Sequence, residues 1–453
     1  MRLSFANLGV LDGAITRFGY DRAAQAGGIV HLGIGAFHRA HQAWYTDLAM
    51  AAGDRDWAIT GVSLRSPGVA EQMQPQDGLF TVTERSEAGW NSRLIGAVRE
   101  VLVARDQRSA VVDRMADPAC HIVSLTVTEK GYCRGADGSL DFGMADSGSL
   151  YALIAEALRR RLGAGLPGLT LLSCDNLADN GQQLAKLMSE YLERHDPALR
   201  PWFETVCTCP STMVDRIVPA TTNRDCAELA ARIGLEDHAA VLTEPFSQWV
   251  IEDRFAGPRP RWETVGAQLV SDVRPYETAK LRMLNGAHSF LAYVGLIHGH
   301  TYVHQAVADP SLRPLVEDLL IKEAAPTIAV GTGQELSAYA MALVGRFANP
   351  ALNHRLIQIA MDGSQKLPQR WLDTLVTNQQ FGRDCPVILR GIAAWIQHLR
   401  GANGNVDDPL ATELSAAAKG PDPIDTLFGP DCLMGRTWRP SDADRKAIQA
   451  ILK

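Results

Sequence analysis

Gly28-Ile29-Val30-His31-Leu32-Gly33-Ile34-Gly35 is an apolar strand that runs into a glycine turn, and a helical pattern follows over residues 36–51. Strand, glycine turn and helix in that order open a dinucleotide-binding α/β domain. Gly33 permits the tight turn, and Gly35 lets the backbone approach a pyrophosphate at the helix N-terminus. His38 stands where the third glycine of G-x-G-x-x-G would be, so the motif alone is a weak signal.

Working outward, residues 57–64 read as a second strand, which completes a right-handed βαβ unit. Residues 79–83 and 93–98 read as a hairpin inserted in the fold, 109–115 as a short helix and 122–129 as a buried strand. Ligands of open α/β sheets lie beyond the carboxyl ends of the strands, so Thr128 and Glu129 are either coenzyme contacts or structural caps. A helix at 149–162 leads to a strand at 169–174, after which Asp175-Asn176 sits where a loop or a helix cap belongs. Residues 244–249 read as another strand leading back to the sheet.

Beyond Pro275 strand signals nearly vanish, and helical periods at 312–323, 337–347 and 386–399 dominate. The expected architecture is therefore α/β: a Rossmann-type dinucleotide-binding domain over 1–275, then a mostly α-helical substrate-binding and catalytic domain over 276–453. Residues 361–368 interrupt the helices as a Gly/Ser loop carrying Lys366, and 401–424 read as a loose connection.

Composition agrees with two soluble domains, since 453 residues exceed what one core usually fills. A net charge of −7 argues against a nucleic-acid surface, which needs a basic stripe. Met1-Arg2-Leu3-Ser4-Phe5-Ala6-Asn7-Leu8 has no basic region leading into an apolar run, and no segment reaches the roughly 18 apolar residues of a membrane span, so a cytoplasmic setting is expected. Eight cysteines without a C-x-x-C pair read as reduced thiols. His298, His300 and His304 are the one histidine cluster to weigh for zinc.

The chemistry concentrates in Pro275-Tyr276-Glu277-Thr278-Ala279-Lys280-Leu281-Arg282-Met283-Leu284-Asn285-Gly286-Ala287-His288-Ser289. On an α-helix at about 100° per residue, Glu277, Lys280, Asn285 and His288 share an arc of roughly 140° with Leu281 and Leu284. Polar groups interleaved with leucine suggest a face turned into a partly buried cleft. Oxidising a secondary alcohol needs a base for the hydroxyl proton and donors for the alkoxide; a lysine with a lowered pKa, an asparagine and a histidine can supply them. The residues equally suit a helix whose Lys and Asn cap neighbours and whose His is a satisfied core residue.

Lys280 followed by Asn285-Gly286-x-His288-Ser289 resembles the signature of the polyol-specific long-chain dehydrogenases, the family of mannitol 2-dehydrogenase and fructuronate (mannonate) reductase. The similarity runs from about residue 28 to about residue 400. It implies Lys280 as general acid-base with Glu277 on its proton path, Asn285 as half of an oxyanion hole, and His288 as an aid to binding. It implies Asn176, within Ser173-Cys174-Asp175-Asn176-Leu177-Ala178-Asp179-Asn180-Gly181, as the other half. Phe37-His38-Arg39-Ala40-His41-Gln42 is similar to the family's variant of the glycine turn, which makes Phe37 and Arg39 coenzyme contacts; Arg39 would reach a phosphate or lie on the surface. Pro210-Ser211-Thr212-Met213-Val214-Asp215-Arg216-Ile217 resembles a pocket-lining segment, with Asp215 as the contact. The resemblance further implies zinc independence and NAD(H), with an open-chain sugar acid or polyol bound between the domains.

Substrate and coenzyme choice rest on departures from the pattern. Mannitol-oxidising members carry an arginine eight residues before the position of Lys366, where this chain has Gln358, so the reading favours D-mannonate/D-fructuronate. A carboxylate wants a cation, and Lys366, Arg370 or Arg282 would provide it. The second strand ends Ser63-Leu64-Arg65-Ser66 with no acid for a ribose 2′-hydroxyl, so NAD(H) is expected with NADP(H) tolerated, Arg65 meeting a 2′-phosphate or stacking on adenine. Alternatives are a mannitol 2-dehydrogenase, another hexitol or pentitol dehydrogenase, a zinc alcohol dehydrogenase, and a dinucleotide-binding regulator without catalysis. Neither nucleic acid nor membrane is an expected partner, and the state is a monomer or small homo-oligomer.

Overall fold

The computed structural model describes every residue except Asp431 and Leu433. The chain divides into two compact units, Met1–Val273 and Arg274–Lys453. Among the described residues no helix is long and apolar enough to cross a membrane.

The first unit holds eleven short strands among its described residues: β1 (Ile29–Leu32), β2 (Ile59–Ser63), β3 (Phe80–Ser86), β4 (Gly89–Ile95), β5 (Val98–Val103), β6 (Ile122–Leu125), β7 (Thr170–Ser173), β8 (Thr212–Asp215), β9 (Val241–Thr243), β10 (Gln248–Glu252) and β11 (Gln268–Val270). Five form a parallel sheet in the order β5-β2-β1-β6-β7, the strand order of a Rossmann-type fold. Successive strand residues face opposite sides. Ile29, Ile59, Ile122 and Leu172 accordingly pack on the side of α1 (Ala36–Ala40) and α2 (Gln42–Ala51). Val30, Val62, Val123 and Leu171 pack on the other side, against the helices Leu150–Gly163 and Asn180–His195. Both faces being covered explains why these strands carry apolar side chains on both sides rather than alternating apolar with exposed polar residues. Each such buried side chain contributes about 1.5–3 kcal/mol.

Three strand expectations are corrected. Residues 93–98 do not form one strand: β4 ends at Ile95 and β5 begins at Val98, so the hairpin β3–β4 makes its own sheet with β9 while β5 joins the parallel sheet. Residues 244–249 do not return to the parallel sheet; Pro245, which has no N–H for a ladder, separates β9 from β10, and β10 pairs antiparallel with β8 in a third small sheet. The strand expected to reach Glu129 stops at Leu125, because Thr128 enters the left-handed region at φ +65° and starts a single helical turn, Thr128–Gly131.

The second unit is mostly helical around one core. Its central helix, Gly286–Ile297, is buried at every position from Gly286 to Gly295 and packs against the helix Pro386–Leu399, as a helix apolar all round must. Three π-helical turns occur among its described residues, Lys280–Asn285, Leu319–Ala324 and Pro368–Leu372, and the first packs against the other two. Glu323, in the second, caps the helix Pro386–Leu399 by accepting from the Val387 and Ile388 amides (2.7 and 2.9 Å). The segment 361–368 is not a loop: Gly363–Leu367 is helical and runs into the third π-turn. Nor is 401–424 loose, since Asp408 accepts from the Ser364 amide and hydroxyl (2.8 and 2.6 Å) and the helix Ala411–Lys419 follows.

Candidate active site

At the carboxyl end of β1, Gly33 has φ +99°, and a Cβ there would collide with the Thr126 carbonyl. Gly35 differs, because a Cβ on it would meet only the Gly33 carbonyl at 3.8 Å. No packing of the first unit requires glycine at 35; the open space above it, before an α1 that no side chain caps, fits a ligand brought close to the backbone. His38, in place of the third glycine, is fully buried and stacks on His31 of β1 with ring centroids 3.4 Å apart, so an imidazole pair sets the helix–strand spacing. Burial holds both rings well below the ordinary histidine range, His31 at about 3, and both are neutral.

The structure separates the expected coenzyme residues. Phe37 is half-buried and stacks on His41 at 5.0 Å. Arg39 meets neither expectation: it is buried, and its guanidinium donates to the Ala239 and Gly35 carbonyls, so it ties α1 to the chain entering β9 instead of reaching a phosphate. Arg65, Thr128 and Glu129 are exposed. The Val127 and Thr128 amides, which a phosphate could have used, donate instead to the Asp175 carboxylate (3.0 and 2.8 Å). Asn176 is exposed just beyond β7, and Asp215 is buried at the end of β8. Beside Asp215, Arg216 donates to Glu84 (2.6 Å) and the Ala40 carbonyl (2.6 Å) and lies over the Trp44 ring.

In the second unit, Lys280 and Asn285 occupy the first and last positions of the first π-turn. On an ideal α-helix they would stand at the two edges of the arc, about 140° apart. Because π-helical bonds join residues five apart, the turn instead stacks Asn285 one turn above Lys280. Both are half-buried, and Glu277 precedes them in the helix Arg274–Ala279. The Trp371 indole donates to the Gly286 carbonyl (3.0 Å) and so fixes this helix to the third π-turn.

His288 is buried against Phe347 (4.7 Å) and His354 (5.3 Å). Burial first, then the neighbouring His354, Arg346 and Arg370, holds its imidazole well below the ordinary range. It is therefore neutral near pH 7, with one ring nitrogen to donate and one to accept. Arg370 donates to the Ser289 hydroxyl (2.9 Å), and burial lowers its pKa to about 10. Among the described residues it forms no ion pair with a carboxylate. Lys366 donates to the Met361 carbonyl (2.6 Å) and lies 3.4 Å from Asp362; burial, then Arg370, lowers its pKa. Arg282 is spent on the Thr327 carbonyl (2.8 Å), and Gln358 is exposed on the short helix Leu356–Ile359. The histidine cluster is divided: His298 and His300 both turn to Asp309 (3.4 and 3.0 Å), while His304 stacks on Tyr302.

Sequence reasoning missed His354, Ser289 as the seat of Arg370, and the bonds made by Asp175 and Asn180. His354 had no signal. The other three lay inside quoted motifs, but the burial that marks them is visible only in the structure.

A family model described as the mannitol dehydrogenase Rossmann domain matches residues 27–264, and one described as the mannitol dehydrogenase C-terminal domain matches residues 272–425. The chain is 42% identical over 439 residues to a D-mannonate oxidoreductase of Escherichia coli (strain K12), across 92% of this chain and 90% of that protein. It is 36% identical over 440 residues to a mannitol 2-dehydrogenase of Phaeosphaeria nodorum, across 92% and 77%. Of solved structures, a substrate-free D-sorbitol dehydrogenase superposes with a TM-score of 0.92 at 32% identity, over 100% of this chain and 97% of that one. The Pseudomonas fluorescens mannitol 2-dehydrogenase, in ternary complex with NAD and D-mannitol, superposes with 0.81 at 34% identity, over 100% and 96%.

Proposed function

The chain belongs to the mannitol dehydrogenase family of oxidoreductases, and from that premise we propose that it interconverts a secondary alcohol and a ketone on an open-chain sugar acid, D-mannonate and D-fructuronate being the pair. The observation that carries the choice of an acid is Arg370. A guanidinium taken partly out of water, still charged at neutral pH and held, among the described residues, by a neutral hydroxyl, is matched by a carboxylate ligand. Gln358, in place of an arginine, and the 42% identity to a D-mannonate oxidoreductase support the same choice.

In this proposal Lys280 accepts the hydroxyl proton, and Glu277 passes it toward solvent. Asn285 donates to the developing alkoxide, with Asn176 as the second donor. Neutral His288 orients a substrate hydroxyl, Arg370 receives the carboxylate, and Asp215 and Lys366 hydrogen-bond the remaining hydroxyls. NAD(H) supplies the hydride acceptor or donor when bound, over Gly33, Gly35 and Phe37. Each preorganised donor is worth about 2.7–4 kcal/mol in the transition state.

The test is a comparison of specificity constants for D-mannonate, D-fructuronate, D-mannitol and D-fructose at matched pH. The acid pair should win. A clear win for mannitol would replace the substrate while sparing the family, and no hydride transfer across a wider polyol panel would favour a regulator.

A further inference from the structure

Two side chains that the proposed chemistry leaves unused hold the segment of Asn176 from opposite sides. Asp175, its immediate neighbour, is 9% exposed. Its carboxylate accepts from the Val127 and Thr128 amides (3.0 and 2.8 Å) and from the Tyr132 hydroxyl (3.0 Å). These bonds fix a β-branched residue at φ +65°, a conformation such residues avoid without support. On the other side Asn180 is fully buried. Its Nδ2 donates to the Asp175 carbonyl (3.0 Å) and the Thr212 carbonyl (2.9 Å), and its Oδ1 accepts from the Thr212 amide (2.9 Å). The Thr212 hydroxyl closes the loop by donating to the Ser173 carbonyl (2.6 Å).

Only a carboxamide satisfies this site, because it must donate twice and accept once from one planar head. Gly181 completes the arrangement: a Cβ there would stand 2.5 Å from the Pro210 carbonyl carbon, so the helix begins flush against the chain entering β8.

We propose that Asn180, seconded by Asp175, is a positioning residue of the reaction. It clamps the backbone that carries Asn176 between the ends of β6 and β8, so that the Asn176 amide is presented already oriented. This rests on the reading of Asn176 as an alkoxide donor. A donor contributes fully only when it need not reorganise, and a displacement of about 1 Å can cost about 100-fold in rate.

The experiment compares Asn180→Ala, Asn176→Ala and the double variant in the full-length enzyme. It measures kcat and KM for the sugar acid, NADH dissociation by fluorescence, and melting temperature. Asn180→Ala should lower kcat about 100-fold while KM and NADH affinity hold, and it should cost nothing further once Asn176 is alanine. Losses that multiply in the double variant would overturn the proposal, as would a lowered melting temperature with kcat unchanged. Asn176→Ala with near wild-type kcat would overturn the alkoxide reading itself, and the positioning role with it. If Asn180→Ala does not fold, Asn180→Asp serves the same comparison, since it keeps the acceptor for the Thr212 amide and removes both donors.

Discussion

Lys280 has the clearest test at the scale of single residues. If it is the base, Lys280→Ala should lower turnover by several orders of magnitude and leave coenzyme affinity nearly intact, because it touches the proton and not the dinucleotide. Steady-state rates with a coenzyme titration check this; a variant keeping a tenth of wild-type turnover would remove Lys280 from the role. Arg65 stands exposed beyond β2 with no acid beside it in sequence. We expect NAD(H) to work best, with measurable NADP(H) activity that Arg65→Ala reduces. NADP(H) activity below detection would mean that an acid from elsewhere in the fold reaches the ribose. What single residues disclosed in the sequence was identity, not company. Arg39 and Arg370 look alike on paper, yet one is consumed by two carbonyls and the other, among the described residues, donates to a hydroxyl. That difference comes from the chain near β9 and from Ser289, which no local pattern announces.

Among elements, the strand–turn–helix at residues 29–40 separates two glycines that sequence treats alike. Gly33→Ala should both destabilise the protein and abolish coenzyme binding, since it strains φ and drives a Cβ into the Thr126 carbonyl. Gly35→Ala meets no protein atom closer than 3.8 Å, so its melting temperature should match wild type while NADH affinity falls. Calorimetry beside a fluorescence titration checks both, and a stability loss at Gly35 would show that its space serves packing. Four strands of the parallel sheet were legible because each is a short, largely apolar run bounded by turns, whereas β5 was hidden in the run 93–98 that was read as one strand with β4. The second core helix, Pro386–Leu399, was legible to the residue, since its proline start and apolar stripe are both local signals. The π-turn was not. An extra residue per turn leaves no composition mark, and only tertiary packing fixes where it falls; the α-helical arc therefore put Lys280 and Asn285 on one face but at its two edges, where the π-turn brings them closer to line.

For the molecule as a whole, stability should carry a pH signature from Glu323. Burial, against the Val387 and Ile388 amides that favour the charged form, raises its pKa from 4.5 to about 7, with Asp318 adding to the rise. The folded state thus binds the extra proton between those two values. The stability this provides is complete below about 4.5 and lost as pH rises through about 7. At about 1.4 kcal/mol per pKa unit the effect is a few kcal/mol at most. The melting temperature of wild type relative to Glu323→Gln should therefore fall between pH 5 and pH 8.5, and a constant difference would reject the assignment. The eight unpaired cysteines have a practical consequence. Burial raises seven of them, Cys120, Cys209 and Cys385 to about 12 and Cys207 to about 11, with Cys133, Cys174 and Cys226 also above the ordinary value. The reacting species in alkylation is the thiolate, which these residues scarcely form at neutral pH. With Cys432 and the half-buried Cys226 replaced by serine, a maleimide dye should label the folded protein only slowly, and one cysteine added at a chosen surface position would carry most of the fluorophore without removal of the other six.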